Sequence, residues 1–142
     1  MKWVALITWI VTAGGGFVML GLWLKHGGMA ASDAPGDRIR AQRILTHFAL
    51  AATGLVIWII YVAADVEALA WVAFALLLIV ALLGFSMLAI WLRQRSRTPV
   101  AAAGDSAEPP EQRFPVPVVG AHGVLAAVTL VLVLLVAVGV GD

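Results

Sequence analysis

Three histidines are the residues of this sequence best suited to chemistry. His26, His47 and His122 carry imidazoles that can bind a metal or exchange a proton near neutral pH. The chain contains no cysteine, which excludes disulfides, thiolate metal sites and iron–sulfur clusters. Metal chemistry on this chain therefore rests mainly on imidazole nitrogen, and it requires elements that bring the histidines together.

Four long uncharged segments must position these histidines. The chain is 63% hydrophobic and 12% charged, and no Asp, Glu, Lys or Arg occurs in residues 3–24, 44–64, 68–92 and 114–141. Each segment reaches the roughly 20 apolar residues that cross a hydrocarbon core of about 30 Å. Because lipid offers no partners to backbone N–H and C=O groups, these segments must be helices.

The sequence therefore predicts an all-α integral membrane protein with one domain over residues 1–142. We expect a four-transmembrane-helix up-down bundle with short or polar connections. The predicted elements are helices at about 3–24, 38–64, 66–92 and 117–140, and a flexible loop at 93–113.

Basic residues lie almost entirely on one side of this predicted bundle. The side with both termini and the 65–67 connection carries only Lys2. The other side carries the remaining eight, which are Lys25, Arg38, Arg40, Arg43, Arg93, Arg95, Arg97 and Arg113. Lys and Arg are enriched in cytoplasmic loops, so we expect an N-out/C-out protein of the inner or plasma membrane with two cytoplasmic loops. The expected partner is the lipid bilayer and no nucleic acid, because acids and alanine interrupt the arginines.

All three histidines fall near the predicted cytoplasmic face, because successive helices alternate in direction. His47 lies four residues after Arg43, and His122 lies five residues after Pro117. At 1.5 Å per residue these spacings correspond to depths of about 6 Å and about 7–8 Å. His26 ends the first helix and is expected at the membrane interface.

Two histidines at equal depth on facing helices can ligate a b-type haem through both axial positions. Haem must fit between helices, so we expect small residues near each ligand, and Gly54 and Gly123 are the candidates. Arg43 is suited to pair with a haem propionate. The pattern resembles small four-helix membrane b-type cytochromes, which implies a haem-binding electron-transfer or redox-partner subunit with His47 and His122 as axial ligands.

Other functions remain open on the sequence alone. The histidines can be structural, each bonded to a neighbouring helix, in a non-enzymatic scaffold or accessory subunit of a larger membrane complex. Such a protein could also be a homo-oligomer packed through the glycines at 14–16. A weak alternative is a zinc or copper site formed by His26 with His47 and His122.

A small transporter is the remaining alternative. The four uncharged segments contain no carboxylate, which argues against transport coupled to a buried acid. The sequence also offers no Ser–His–Asp arrangement at one depth and no phosphate-binding loop. We therefore expect no enzyme active site on this chain alone.

Overall fold

The computed structural model is all-helical over the residues it describes, which are 1–31, 33, 38–96 and 109–140. Its elements are α1 (Lys2–Lys25), the short α2 (Gly28–Ala31), α3 (Ala41–Ala64), α4 (Glu67–Ser96), a 3₁₀ turn (Pro110–Arg113) and α5 (Val116–Ala137). Helices α1, α3, α4 and α5 are each long and apolar enough to cross a membrane. The prediction of four such helices is confirmed.

The four long helices form a ring in which each packs against two neighbours. Helix α1 packs on α5 and α3, and α4 packs on the same two helices. Helices α3 and α5 therefore lie on one diagonal of the bundle, and α1 and α4 lie on the other. This arrangement decides which side chains can meet across the centre.

The two ends of the bundle differ in charge. At the end with the N-terminus, which we call the terminal end, Lys2 forms an ion pair with Asp65 in the turn between α3 and α4. The opposite end, which we call the Arg-rich end, carries Lys25, Arg38, Arg40, Arg43, Arg93, Arg95 and Arg113. The helices thus alternate in direction, as an up-down bundle requires.

Buried apolar side chains form two clusters, one toward each end. The larger cluster, in the terminal half, includes Trp9 and Trp58, which are 3% and 0% exposed. The smaller cluster surrounds Trp91 at the Arg-rich end. On α3 and α5 the layer between the two clusters contains His47 and His122. Apolar packing is therefore interrupted at the level where these two side chains lie.

The segment before α5 folds over the Arg-rich end. Glu111 is 1% exposed, and its carboxylate accepts hydrogen bonds from the Ile39 backbone N–H at 3.0 Å and from Gln94 Nε2 at 2.8 Å. Its carbonyl oxygen accepts the indole N–H of Trp91 at 3.0 Å. The 3₁₀ turn thus ties the segment before α3 to the last turns of α4.

Helix α3 begins later, and helix α5 ends earlier, than the sequence predicts. Helix α3 begins at Ala41 and not at 38, because Glu111 holds the Ile39 N–H and Arg40 has an extended backbone. Helix α5 ends at Ala137 and not at 140. Gly139 adopts a left-handed backbone with φ of 80°, and the N–H groups after the helix bond to its last carbonyls, which is a common glycine-dependent helix end.

The predicted flexible loop at 93–113 is shorter than expected at both ends. Helix α4 continues through Ser96, and the chain from 110 to 113 forms the 3₁₀ turn with its buried carboxylate. Residues 97–108 of that predicted loop lie outside the described residues. The basic and polar residues at 93–96 include no glycine or proline, so the helix continues past the apolar segment.

We expect Glu111→Ala to lower the free energy of unfolding by about 1–3 kcal/mol, because the buried Ile39 N–H and the Gln94 amide lose their acceptor. Unfolding of the purified protein in mixed micelles, followed by circular dichroism, measures the change. Glu67→Ala is the matched control, since Glu67 is an exposed carboxylate in the first turn of α4. Equal effects of the two substitutions would contradict the assigned role of Glu111.

Candidate functional site

The histidines of α3 and α5 meet across the centre of the bundle. His47 and His122 each lie six residues after the first residue of their helix, which corresponds to about 9 Å along each axis. Because α3 and α5 lie on one diagonal, the two side chains approach each other from opposite sides. Their ring centres are 6.4 Å apart, and the ring planes are inclined at 56°.

His122 is held against α1. Its Nδ1 lies 2.9 Å from the carbonyl oxygen of Thr12. Since a carbonyl oxygen can only accept, Nδ1 must carry the hydrogen and donate it. Gly16, four residues after Thr12, leaves room for the ring, because a methyl group there would lie 3.3 Å from His122 Cε1 and 3.8 Å from Nδ1.

His47 is held against α4 in the same way. Its Nδ1 donates to the carbonyl oxygen of Val80 at 3.0 Å. Gly84, four residues after Val80, again leaves room, and a methyl group there would lie 3.3 Å from His47 Cε1 and 3.8 Å from Nδ1. An approximate two-fold axis along the bundle thus exchanges α1 and α5 with α4 and α3. The two halves share only a backbone carbonyl, a glycine four residues later and a histidine on the facing helix. This pattern is too sparse to be visible as a sequence repeat.

These hydrogen bonds decide which ring nitrogen is available to a ligand. With the hydrogen on Nδ1, the Nε2 atom of each ring keeps its lone pair. Within the described residues, neither Nε2 has a hydrogen-bond partner. Histidines that bind metals commonly donate the other N–H to a backbone carbonyl, which fixes the tautomer and the ring orientation. His47 and His122 have this arrangement.

The distance between the two ring centres can be compared with that of two imidazoles that bind one metal ion. A metal–imidazole nitrogen bond is about 2.0 Å long, and the nitrogen lies roughly 1.1 Å from its ring centre, so two opposed rings have centres roughly 6.2 Å apart. The observed distance is 6.4 Å. The observed distance is therefore close to the calculated one.

Comparison with known proteins identifies no relative of this chain. No family model, no curated protein and no solved structure matches the chain. The arrangement of the side chains is therefore the basis for assigning a function.

His26 does not join the pair. Its Nδ1 bonds to the carbonyl oxygen of Leu22 in its own helix at 2.7 Å. Across residues 1–31, 33, 38–96 and 109–140, no three His, Cys, Asp or Glu side chains are grouped so that they could hold a metal ion. The three-histidine zinc or copper site considered from the sequence is thus not formed by the described residues.

Gly54 and Gly123, the small residues expected beside the ligands, do not lie beside the histidines. A methyl group on Gly54 would lie 3.1 Å from the Trp9 ring, so this glycine accommodates an indole of the larger cluster. Gly123 is exposed, and a methyl group there would have no neighbour within 4 Å. The prediction placed the small residues on the histidines' own helices, whereas Gly16 and Gly84 are on the neighbouring ones.

Arg43 lies one helical turn before His47, toward the Arg-rich end of α3. Its side chain is half-buried. In the described part of the chain its guanidinium has no hydrogen-bond or ion-pair partner. A half-buried cation at this position is suited to a carboxylate of a bound molecule.

Proposed function

We propose that this chain is a b-type haem-binding electron-transfer or redox-partner subunit, with His47 and His122 as the two axial ligands. One observation carries the proposal. The imidazoles face each other from diagonal helices at 6.4 Å, and a carbonyl of a neighbouring helix holds the Nδ1 atom of each. This arrangement supports the proposal, because one nitrogen of each ring is held by a carbonyl and the other is left for a ligand.

The number of protein ligands favours haem over a bare ion. Zinc sites in proteins normally use three or four side chains. The described residues offer two imidazoles and no third group beside them. A haem brings four nitrogens of its own and leaves two axial positions, which matches a pair of histidines.

The glycines of α1 and α4 support a flat cofactor. A flat cofactor held between the two rings would need space beside the helices of the other diagonal of the bundle. That diagonal consists of α1 and α4, where Gly16 and Gly84 present no side chain. Arg43, one turn from His47 toward the Arg-rich end, would be the residue to pair with a propionate.

Ligation by two histidines favours electron transfer. If His47 and His122 both held a haem, no ligand position would be left for oxygen or a substrate, and the group would supply one-electron redox chemistry. The residues of this chain then act by binding the group, orienting its ligands and excluding water. An enzymatic reaction would be carried out by a partner subunit.

We also propose the orientation of the chain in the inner or plasma membrane. The excess of basic residues at the Arg-rich end favours a cytoplasmic location for that end, with both termini outside. The histidine layer then lies in the half of the bilayer nearer the cytoplasm. Electrons would be exchanged most directly with a partner on that side.

A structural role for the histidines is the second candidate, and the same hydrogen bonds favour it. The Nδ1 contacts link α5 to α1 and α3 to α4, so they can stabilise helix packing by themselves. Such bonds between membrane helices contribute about 0.6 kcal/mol on average. In that case the protein is a scaffold or accessory subunit without a cofactor.

An absorption spectrum tests the proposal. Protein purified from haem-replete cells is expected to show a Soret band that sharpens and shifts to longer wavelength on reduction, at one haem per chain. A preparation that is colourless and does not change the spectrum of added haemin would overturn the proposal and leave the structural role. Metal analysis of the same sample checks that zinc or copper is not bound in place of iron.

A further inference from the structure

We infer that Gly16 and Gly84 are positioning residues, each of which exposes one helix carbonyl to the Nδ1–H of a histidine and thereby directs Nε2 into the centre of the bundle. The ligand-binding part of this inference rests on the proposed function. The part that concerns the imidazole tautomer does not, because it depends only on the two hydrogen bonds.

Helix geometry explains why a glycine is needed at this spacing. Side chains of a helix tilt toward its N-terminus, and residues four apart lie on one face. The side chain of residue i+4 therefore stands beside the carbonyl of residue i. That carbonyl already accepts the helical N–H, but its oxygen has a second lone pair. Glycine at i+4 opens an approach to this lone pair from a neighbouring helix.

Both histidines reach a carbonyl oxygen in this way, and each does so through its Nδ1 atom. Thr12 and Gly16 hold His122, and Val80 and Gly84 hold His47. At each glycine an added methyl group would lie 3.3 Å from Cε1, which is closer than ordinary van der Waals contact. A methyl group would therefore displace the ring by a few tenths of an ångström or lengthen its bond to the carbonyl.

The three successive glycines of α1 include a position that can serve as a control for Gly16→Ala. A methyl group on Gly14 would meet nothing within 4 Å, and one on Gly15 would lie at an ordinary 3.6 Å from His122 Cβ. Alanine favours a helix more than glycine does, so none of these substitutions weakens α1 through helix propensity. Gly14→Ala and Gly16→Ala thus differ mainly in what the new methyl group contacts.

The first experiment uses the full chain in detergent without haem. Nitrogen-15 NMR of the imidazoles is expected to show the hydrogen on Nδ1 of both His47 and His122. Gly16→Ala should shift the signals of His122, Gly84→Ala should shift those of His47, and Gly14→Ala should shift neither. Rings protonated on Nε2 in the unsubstituted protein, or signals that neither alanine changes, would overturn the inference.

The second experiment adds haemin to the same four proteins. Partners that orient a metal-binding histidine typically change affinity by about 10–100-fold, and we expect a loss of this size in Gly16→Ala and Gly84→Ala. Gly14→Ala should bind as the unsubstituted protein does. Tight binding by all four proteins would refute the positioning role while leaving the haem proposal intact. If the unsubstituted protein binds no haemin, the haem proposal fails, and the NMR result still decides the role of the glycines.

Discussion

Replacing either His47 or His122 by alanine is expected to abolish the spectrum of a six-coordinate b-type haem. On the proposed ligation, each substitution removes one of the two imidazoles that would hold the iron, so haem would bind more weakly. The bundle should survive, because the carbonyl oxygens of Val80 and Thr12 keep their bonds within their own helices. Visible spectra of the oxidised and reduced proteins measure the effect.

His26→Ala is the matched control for these variants. This imidazole bonds within α1 and does not approach the other two, so the spectrum should be unchanged. Free imidazole offers a second check, since it can enter the space of a missing side chain and restore six-coordination in His47→Ala or His122→Ala. Retention of the full spectrum in both single variants would contradict axial ligation by this pair.

Trp58→Ala is expected to lower the free energy of unfolding by about 3–5 kcal/mol. The indole is 0% exposed, lies with its ring centre 6.4 Å from that of Trp9 and 4.8 Å from that of Tyr61, and donates its N–H to the carbonyl of Lys2 at 3.4 Å. Truncation leaves a large cavity in the cluster that joins all four helices at the terminal end. Unfolding in mixed micelles, followed by the circular dichroism of the helical backbone, measures this loss of stability.

Trp71→Ala provides the comparison, because Trp71 is 44% exposed on the neighbouring helix. We expect its effect to be well below that of Trp58→Ala. At temperatures below the unfolding transition, both variants should keep the haem spectrum, since the histidine layer lies outside the larger cluster. A loss of haem without a loss of stability in Trp58→Ala would be inconsistent with the separation of the two regions.

The four helices could be predicted because hydropathy and length determine them. A charge-free segment of more than 20 residues is stable in lipid as a helix. The structure has a helix over each of the four such segments. The matching positions of His47 and His122 along their helices also followed from the sequence, since Arg43 and Pro117 mark the starts of the two apolar segments.

The rotation of each helix about its axis could not be predicted in this way. In α4 and α5 apolar residues surround the whole helix, so the sequence does not reveal which face points inward. The sequence therefore predicts Gly54 and Gly123 beside the histidines, whereas Gly54 lies against Trp9 and Gly123 is exposed. Packing against neighbouring helices decides the rotation.

The role of Glu111 also depends on contacts made only after folding. In the sequence it belongs to a polar segment between prolines and glutamines, where a carboxylate is expected in water. Its burial follows from an N–H 72 residues away and from an amide on α4. No local pattern specifies such partners, so the sequence supported only a flexible connection.

The separation of the bundle into two apolar clusters suggests an order of assembly. The cluster around Trp9 and Trp58 can hold the four helices together at the terminal end while the opposite end is still apart. A different set of contacts holds the Arg-rich end, namely the hydrogen bonds of Glu111 to Ile39, Gln94 and Trp91. Loss of these contacts would therefore open one end of the bundle and leave the other assembled.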